Sequence, residues 1–408
     1  MIGRERLTLI SADEARARFT SFGAPAGPER VGLLDADGRV LAGEVRAPHD
    51  APPWARSTMD GFAVRADEVA GAREDAPVRL RVAGEVLMGQ VLEGELAPGV
   101  AAAISTGGVV PDALDAVVMV EWTTRDGDDV LVSRPVRAWE NVVRPGDDLR
   151  AGDPLIAAGR RLRAVDVGAL ASFGITHVDV FRTPRVAIVS TGNEIVPFDA
   201  PAKPGQVRCM NQHALAAQVR RAGGTPVAGG IVVDDLGAIR ARVEELLPSS
   251  ELVLLTGGSS VGVKDLTVPV LEALGAEIVL HGIDVRPGKP TVLARKGTTP
   301  IVGLPGVPVS AMMIFDQFVR PLLWRLAGER GRDPWPVKRP GVLASAVKSS
   351  VGREDYVRVR FGEDGRVEPL VGGSAILSAL LRADGIVIVP AAVEGLAAGA
   401  DVTVLAVE

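Results

Sequence analysis

Three loops in the middle of the chain carry residue types that bind and activate anions. The first is Val189-Ser190-Thr191-Gly192-Asn193-Glu194, which follows a compact apolar run. Its small residues let backbone N–H groups approach an anion, and Glu194 adds a carboxylate. Taken alone, it reads more simply as a turn with a solvent-facing Glu. The second runs from Thr256-Gly257-Gly258-Ser259-Ser260-Val261-Gly262 to Asp265. Its glycines permit positive φ and close backbone approach, and the helix expected after it favours negative charge at its start. That makes a phosphate cradle, although no Gly-Lys-Ser/Thr follows as in a Walker loop. Asp265 can hold a ligand hydroxyl or a metal, or simply compensate the helix end.

The third loop is Val285-Arg286-Pro287-Gly288-Lys289-Pro290, followed by Gly303-Leu304-Pro305-Gly306-Val307-Pro308. Two cations held by Pro-Gly form a stiff basic corner suited to oxyanions, unless both are ordinary surface charges in a turn. Gly258-Ser259-Ser260-Val261-Gly262 also fits the nucleophile elbow of serine hydrolases. That chemistry needs an acid and then a histidine well downstream, and the only later histidine is His281, too near to serve. Towards the N-terminus, Asp60 sits in an Asp-Gly turn, and Thr106 lies in the hydroxyl- and glycine-rich run Ser105–Val110. Asp148 ends a cluster of acids around Arg144. Each of these is weak singly.

The elements around these loops have two characters. Ser11-Ala12-Asp13-Glu14 is a capping box that opens a helix. From about residue 29 to 148, short strands alternate with turns, and no helical period appears. Leu162–Phe173 reads as a helix. From about 182 to 330, strands alternate with helices: strand Arg185–Ser190, helix Asn211–Ala222, strand Val227–Val233, helix Asp234–Leu247. Strand Glu251–Thr256, helix Lys264–Leu274, strands Glu277–Leu280 and Pro300–Leu304, and a long helix Pro308–Leu326 follow. This alternation predicts a parallel sheet covered on both faces, with the three loops at strand ends, where such sheets bind ligands. Short strands return beyond the loop Gly331–Pro340 as a small β-rich C-terminal domain.

Composition narrows the chemistry. The 408 residues carry a net charge of −6, which argues against a nucleic-acid footprint over the whole chain. No stretch is long and apolar enough to span a membrane, and the N-terminus has no apolar core of a signal peptide. The single cysteine, Cys209, excludes a disulfide framework and a Cys-built zinc site, and it fits the cytoplasm. With only four histidines, a metal would need oxygen ligands, which points to a hard ion such as Mg²⁺.

In order along almost the full length, the motifs resemble the molybdopterin molybdenumtransferases, the MoeA and gephyrin E-domain family. The residues that carry this are Met59-Asp60-Gly61-Phe62-Ala63, Thr106-Gly107 with Glu121, Glu140-Asn141 and Gly146-Asp147-Asp148. Ser190–Glu194, Gly205-Gln206 with Asn211, Gly257–Gly262 with Asp265, Pro287-Gly288-Lys289-Pro290, Gly303–Gly306 and Gly373-Ser374 follow. Three departures stand out: Arg286 where the family has Lys, Val307 where it has Asn, and Arg208-Cys209-Met210 before Asn211.

The resemblance implies an enzyme that inserts molybdate into adenylylated molybdopterin, releases AMP and depends on Mg²⁺. It implies a MogA-like three-layer α/β/α domain with a mostly parallel sheet at 182–331. An inserted β-rich domain at 29–148, a dimerisation domain from 1–28 with 149–181, and a small β-barrel-like domain at 332–408 complete the chain. It further implies a homodimer, its cleft lying between the inserted module of one subunit and the α/β domain of the other. A molybdopterin adenylyltransferase and molybdoenzyme maturation proteins are the implied partners. By motif position, the catalytic candidates are Asp60, Thr106, Asp148, Glu194, Asp265, Arg286 and Lys289, with Asp60, Glu194 and Asp265 as metal ligands. Thr191, Gly192, Gly257, Gly258, Ser260, Gly262, Pro305, Pro308 and Ser374 would bind substrate. The economical mechanism has no covalent nucleophile: the metal polarises the anhydride while a molybdate oxygen or water attacks phosphorus. The alternative, motivated by Val307 and Arg286, is a catalytically altered paralogue that binds molybdopterin as a scaffold or carrier.

Overall fold

A computed structural model describes residues 8–257, 266–333, 335–370 and 377–406. The chain forms two compact units. The smaller, Glu44–Ala157 with Ala169–Ile175, is built on a six-stranded sheet. Its strands are β1 (Gly61–Val64), β2 (Val78–Val86), β3 (Val100–Ile104), β4 (Ala116–Met119), β5 (Thr123–Asp126) and β6 (Asp129–Val132). They lie in the order β4-β1-β3-β2-β6-β5, and only β2 and β3 run parallel. Successive side chains of a strand point to opposite faces. Phe62 and Val64 therefore enter one core with Ala116 and Val118, while Ala63 enters a second with Val117 and Ile104.

The larger unit comprises Met1–Gly43, Ala158–Gly168 and Thr176–Glu408. Its first helix, α1 (Ala12–Ser21), begins where the capping box places it: the Ser11 hydroxyl accepts from the Glu14 amide at 3.1 Å. The next helix in the chain, α2 (Ala164–Ser172), falls within the span expected for it. The central sheet contains β7 (Arg185–Thr191), β8 (Thr225–Val232), β9 (Leu252–Thr256) and β10 (Glu277–His281). After the short β11 (Val285–Arg286), which joins a different sheet, come β12 (Val292–Lys296) and β13 (Thr299–Leu304). The order is β8-β7-β9-β13-β12-β10.

The pairings among β8, β7, β9 and β13 are parallel; β12 and β10 are antiparallel. Three of the five pairings are parallel, so the sheet is mostly parallel, as expected, but mixed at one edge, where β12 is a strand absent from the sequence expectation. The reason is local. β12 and β13 are joined by the two-residue turn Gly297-Thr298, with Lys296 paired to Thr299. A turn that short can only return the chain antiparallel, because a parallel connection needs a dozen or more residues. Gly297 supplies the positive φ, +61°.

Alternate residues of the parallel strands enter two separate cores, which is why these strands read as continuous apolar runs. Val186, Ile188, Leu252, Leu254, Val302 and Leu304 face α3 (Asn211–Arg221) and the helical run from Pro308 to Leu326. Ala187, Val189, Val253, Leu255 and Ile301 face α4 (Leu236–Leu246) and α5 (Thr267–Ala273). Each fully buried Leu or Ile contributes about 1.5–3 kcal/mol. The Pro308–Leu326 helix is interrupted: α6 (Pro308–Ile314) and α7 (Arg320–Leu326) are separated by a π-helical segment, Phe315–Val319. Pro321 lacks an N–H and crowds the carbonyl four residues earlier, so regular α pairing cannot continue through it.

Beyond α7 lies a sheet of β14 (Lys338–Val342), β15 (Glu354–Phe361), β16 (Val367–Pro369), β17 (Gly385–Val389) and β18 (Asp401–Ala406). Its order is β11-β15-β17-β18-β14, with β16 also on β15. A parallel bridge between Leu343 and Val367 ties the end of β14 to β16, so the pairing path returns toward its start.

Candidate functional site

The carboxyl ends of β7, β9 and β13 meet through backbone. Gly257 follows β9 with φ +111°, and a Cβ there would lie 2.0 Å from the Thr191 carbonyl oxygen. A Cβ on Gly306, after β13, would touch the Gly257 Cα at 3.3 Å. Only glycine allows these chains to approach so closely. Thr191 is buried, and Pro305 closes β13. Pro308 is the first residue of α6, where its missing N–H costs nothing. Val307 precedes it as the N-cap and makes no side-chain cap.

Gly192 and Glu194 form the rim of this place. A Cβ on Gly192 would fall 2.8 and 2.9 Å from the two Glu194 carboxylate oxygens, so the glycine leaves the acid its room. Glu194 is exposed. Between them Asn193 is locked: the Asp234 amide donates to its Oδ1 at 3.1 Å, and its own amide donates to Asp234 Oδ2 at 3.4 Å. Asn211, the first residue of α3, donates from Nδ2 to Thr256 Oγ1 at 2.7 Å and to the Gly306 carbonyl at 2.8 Å. Of these polar residues, the sequence reading had Asn211 only as part of a motif and gave no role to Asn193, Asp234 or Thr256. The β9 motif was visible, but which side chain reaches which carbonyl was not.

The Arg286–Lys289 corner is only partly free. Arg286 lies in register with Asp355 where β11 pairs with β15, and it donates to the Asp355 carboxylate at 2.5 Å. Gly288 packs on α6, since a Cβ there would meet Ile314 Cδ1 at 2.3 Å. Lys289 is exposed; its carbonyl accepts from the Ile283 amide at 3.0 Å, and its ammonium has no hydrogen bond or ion pair to a described residue. Gly258, Ser260, Gly262, Asp265 and Ser374 lie outside the described residues.

In the smaller unit the structure brings Asp60 and Thr106 together. The Thr106 amide and hydroxyl both donate to Asp60 Oδ1, at 2.7 and 3.1 Å. Gly61 enters β1 so close to β4 that a Cβ would lie 1.9 Å from the Val118 carbonyl oxygen. Asp60 is exposed, and neither bond engages its second oxygen. Asp148 makes no hydrogen bond to this pair: its amide donates to the Ala51 carbonyl at 3.1 Å, and its side chain is exposed.

Among the described residues no three His, Cys, Asp or Glu side chains converge into a metal cage. Single carboxylates such as Glu194 suit Mg²⁺ nonetheless. That ion keeps several waters and takes one or two carboxylates plus substrate phosphates. A cavity of about 60 Å³ lies elsewhere, lined by Gln218, Arg221, Met312, Asp316, Trp324 and Trp335. Gln218 is roughly 10 Å along α3 from Asn211, at 1.5 Å per residue, so the cavity does not belong to the strand-end loops. No helix among the described residues is long and apolar enough to cross a membrane.

Comparison with known proteins places this geometry. Residues 10–174 match the family described as MoeA N-terminal region (domain I and II). Residues 187–325 match the "Probable molybdopterin binding domain", and 340–407 the MoeA C-terminal region (domain IV). The chain is 35% identical to a molybdopterin molybdenumtransferase of Synechococcus elongatus over 93% of its length and 94% of the relative's. For the namesake of Bacillus subtilis the identity is 33%, over 98% and 95%. For that of Nostoc sp. it is 38%, over 76% and 72%. A solved structure of a molybdopterin biosynthesis MoeA protein from Pyrococcus horikoshii aligns with TM-score 0.83 and 30% identity, covering 97% of this chain and 100% of that one.

Proposed function

The chain belongs to the molybdopterin molybdenumtransferase family, and from that premise we propose that it inserts molybdate into adenylylated molybdopterin with release of AMP and dependence on Mg²⁺. It is a molybdotransferase of molybdenum cofactor biosynthesis. The observation that carries the site assignment is the backbone contact of Gly257 with Thr191 and Gly306 at three parallel strand ends.

The chemistry fits that place. Both reactants are anions, and a water-poor pocket lined by amides and cations offsets their repulsion better than water does. Thr191, Gly192, Gly257 and the Pro305–Pro308 turn are our substrate-binding residues, with Gly258, Ser260, Gly262 and Ser374 by motif. Lys289 offers an ammonium with no described partner. Arg286 acts through its link to Asp355, which steadies the loop that carries Lys289. Glu194, Asp60 and Asp265 are the carboxylates that would hold Mg²⁺, which when bound neutralises phosphate charge. Thr106 fixes which Asp60 oxygen stays available, and Asp148 supplies a further acid.

We also take the enzyme to be a cytoplasmic homodimer in which the Asp60–Thr106 turn of one subunit serves the strand-end loops of the other. Four domains are our division of the chain: 1–28 with 149–181, 29–148, 182–331 in three α/β/α layers, and 332–408 as a small barrel. A molybdopterin adenylyltransferase would deliver the substrate.

The test is AMP release from adenylylated molybdopterin on adding molybdate and Mg²⁺. Release that ignores molybdate would mean hydrolysis rather than insertion. Tight binding without turnover would mean a scaffold.

A further inference from the structure

We propose that Asn211 is a positioning residue whose amide braces the Pro305–Val307 turn against the end of β9 and so sets the substrate affinity of the strand-end loops. This rests on the reading that those loops hold the pterin nucleotide.

Asn211 Nδ2 has two protons, and both are used. One goes to Thr256 Oγ1 at 2.7 Å, the other to the Gly306 carbonyl at 2.8 Å. A carbonyl can only accept, so Gly306 fixes which way the amide points. Thr256 is 1% exposed, and having accepted from Asn211 it has its own proton for the Pro305 carbonyl at a long 3.5 Å. One amide on α3 therefore reaches two consecutive carbonyls of the turn, one directly and one through a hydroxyl.

The cost is visible on the other side of the same group. Asn211 Oδ1 is buried and has no hydrogen-bond partner among the described residues. An unsatisfied buried acceptor is unfavourable and asks for a reason. The ordinary reason, a helix cap, does not apply: the N-cap of α3 is Met210, and no side chain caps it. What the arrangement gains is a fixed place for the Gly306 carbonyl. Gly306 touches Gly257, whose backbone touches Thr191, so a shift in the turn moves all three strand ends. Val307 cannot steady the turn itself, because it has no polar group to cap α6.

The experiment uses the full chain with Asn211→Ala, Asn211→Asp and Thr256→Val. Losing two hydrogen bonds of ordinary strength raises KM for adenylylated molybdopterin about tenfold in Asn211→Ala, with kcat changed less than about threefold. Asn211→Asp keeps the shape but sets a carboxylate against the Gly306 carbonyl, and is the worse of the two. Thr256→Val keeps the direct bond to Gly306 and loses least. That ranking supports the brace. A wild-type KM in Asn211→Ala overturns it, as does a lowered melting temperature with no change in KM. The second arm needs no substrate: amide hydrogen exchange across residues 303–309 is faster in Asn211→Ala, while β18, in another sheet, keeps its wild-type rate. If the wild-type protein binds no nucleotide, the functional reading fails and the exchange result still decides the brace. Unchanged exchange overturns it.

Discussion

Arg286 donates to the carboxylate of Asp355, 69 positions further along the chain, and the two residues stand opposite each other where β11 pairs with β15. Asp355 is 1% exposed and also accepts from Arg353 and from the Ser349 hydroxyl. Arg286 keeps 53% of its side chain exposed. The acid is therefore the costly member to remove. Asp355→Ala removes at once the acceptor shared by Arg286, Arg353 and the Ser349 hydroxyl, and is expected to cost about 3 kcal/mol. Arg286→Ala leaves Asp355 with two partners and is expected to cost about 1 kcal/mol. Urea unfolding of both variants, followed by tryptophan fluorescence, checks the order. Equal losses would mean that the pair is not organised around the acid.

Gly257 offers a sharper steric prediction. Gly257→Ala places a methyl group 2.0 Å from the Thr191 carbonyl oxygen and at φ +111°. Gly297→Ala also meets positive φ, +61°, but in open space. The second change is expected to cost about 1–2 kcal/mol, from the left-handed backbone alone. The first must also separate β7 from β9, and is expected to cost at least about 3 kcal/mol and to abolish nucleotide binding. Thermal melts and binding titrations of the pair separate backbone strain from collision.

These two sites show what was legible in the sequence. The run Arg185–Ser190 is visible because a strand buried on both faces needs apolar residues without alternation. Glycine in the loop after β9 is visible because close backbone approach leaves no other choice. By contrast, β12 is short and ends in Arg295-Lys296, so it resembles a loop until its pairing with β13 is seen. The partner of Arg286 is invisible for a different reason: nothing local to Arg286 distinguishes a cation waiting for an oxyanion from one already bound to Asp355. Asn211 could be singled out, but the direction of its two protons depends on carbonyls brought in from β13. Hydrogen-bond geometry between distant segments is the part of the site that sequence does not display.

Asp60 and Glu194 test whether subunits share the site. Both are exposed, and surface substitutions usually change stability by no more than about 0.5 kcal/mol. Asp60→Asn keeps the Oδ1 acceptor for Thr106, and Glu194→Gln keeps its shape. Each is expected to lower turnover on the order of 100-fold. Mixing the two variants under conditions that exchange subunits makes heterodimers in half of the population. If each site draws one residue from each subunit, every heterodimer regains one intact site, and activity returns to about a quarter of wild type. If a site draws both from one chain, mixing recovers nothing.

Tyr356 is the chain's single tyrosine, so its ionisation can be followed without interference. It is 4% exposed in β15, and burial raises its pKa well above the ordinary value of 10.0, helped by the charge of Glu354. Arg16 donates to the phenol oxygen at 3.2 Å and opposes that shift without overcoming it. A phenol whose folded pKa lies above its unfolded value stabilises the fold in its protonated form. The contribution is complete below pH 10 and is lost as pH rises through the folded value. Alkaline titration should therefore show no phenolate absorbance step near pH 10. The step should appear at higher pH, together with loss of ellipticity, whereas in denaturant it should return to about 10. Ionisation near pH 10 in a chain that keeps its circular dichroism would show that β15 does not enclose the ring. Tyr356→Phe should abolish the step in both conditions, which assigns it.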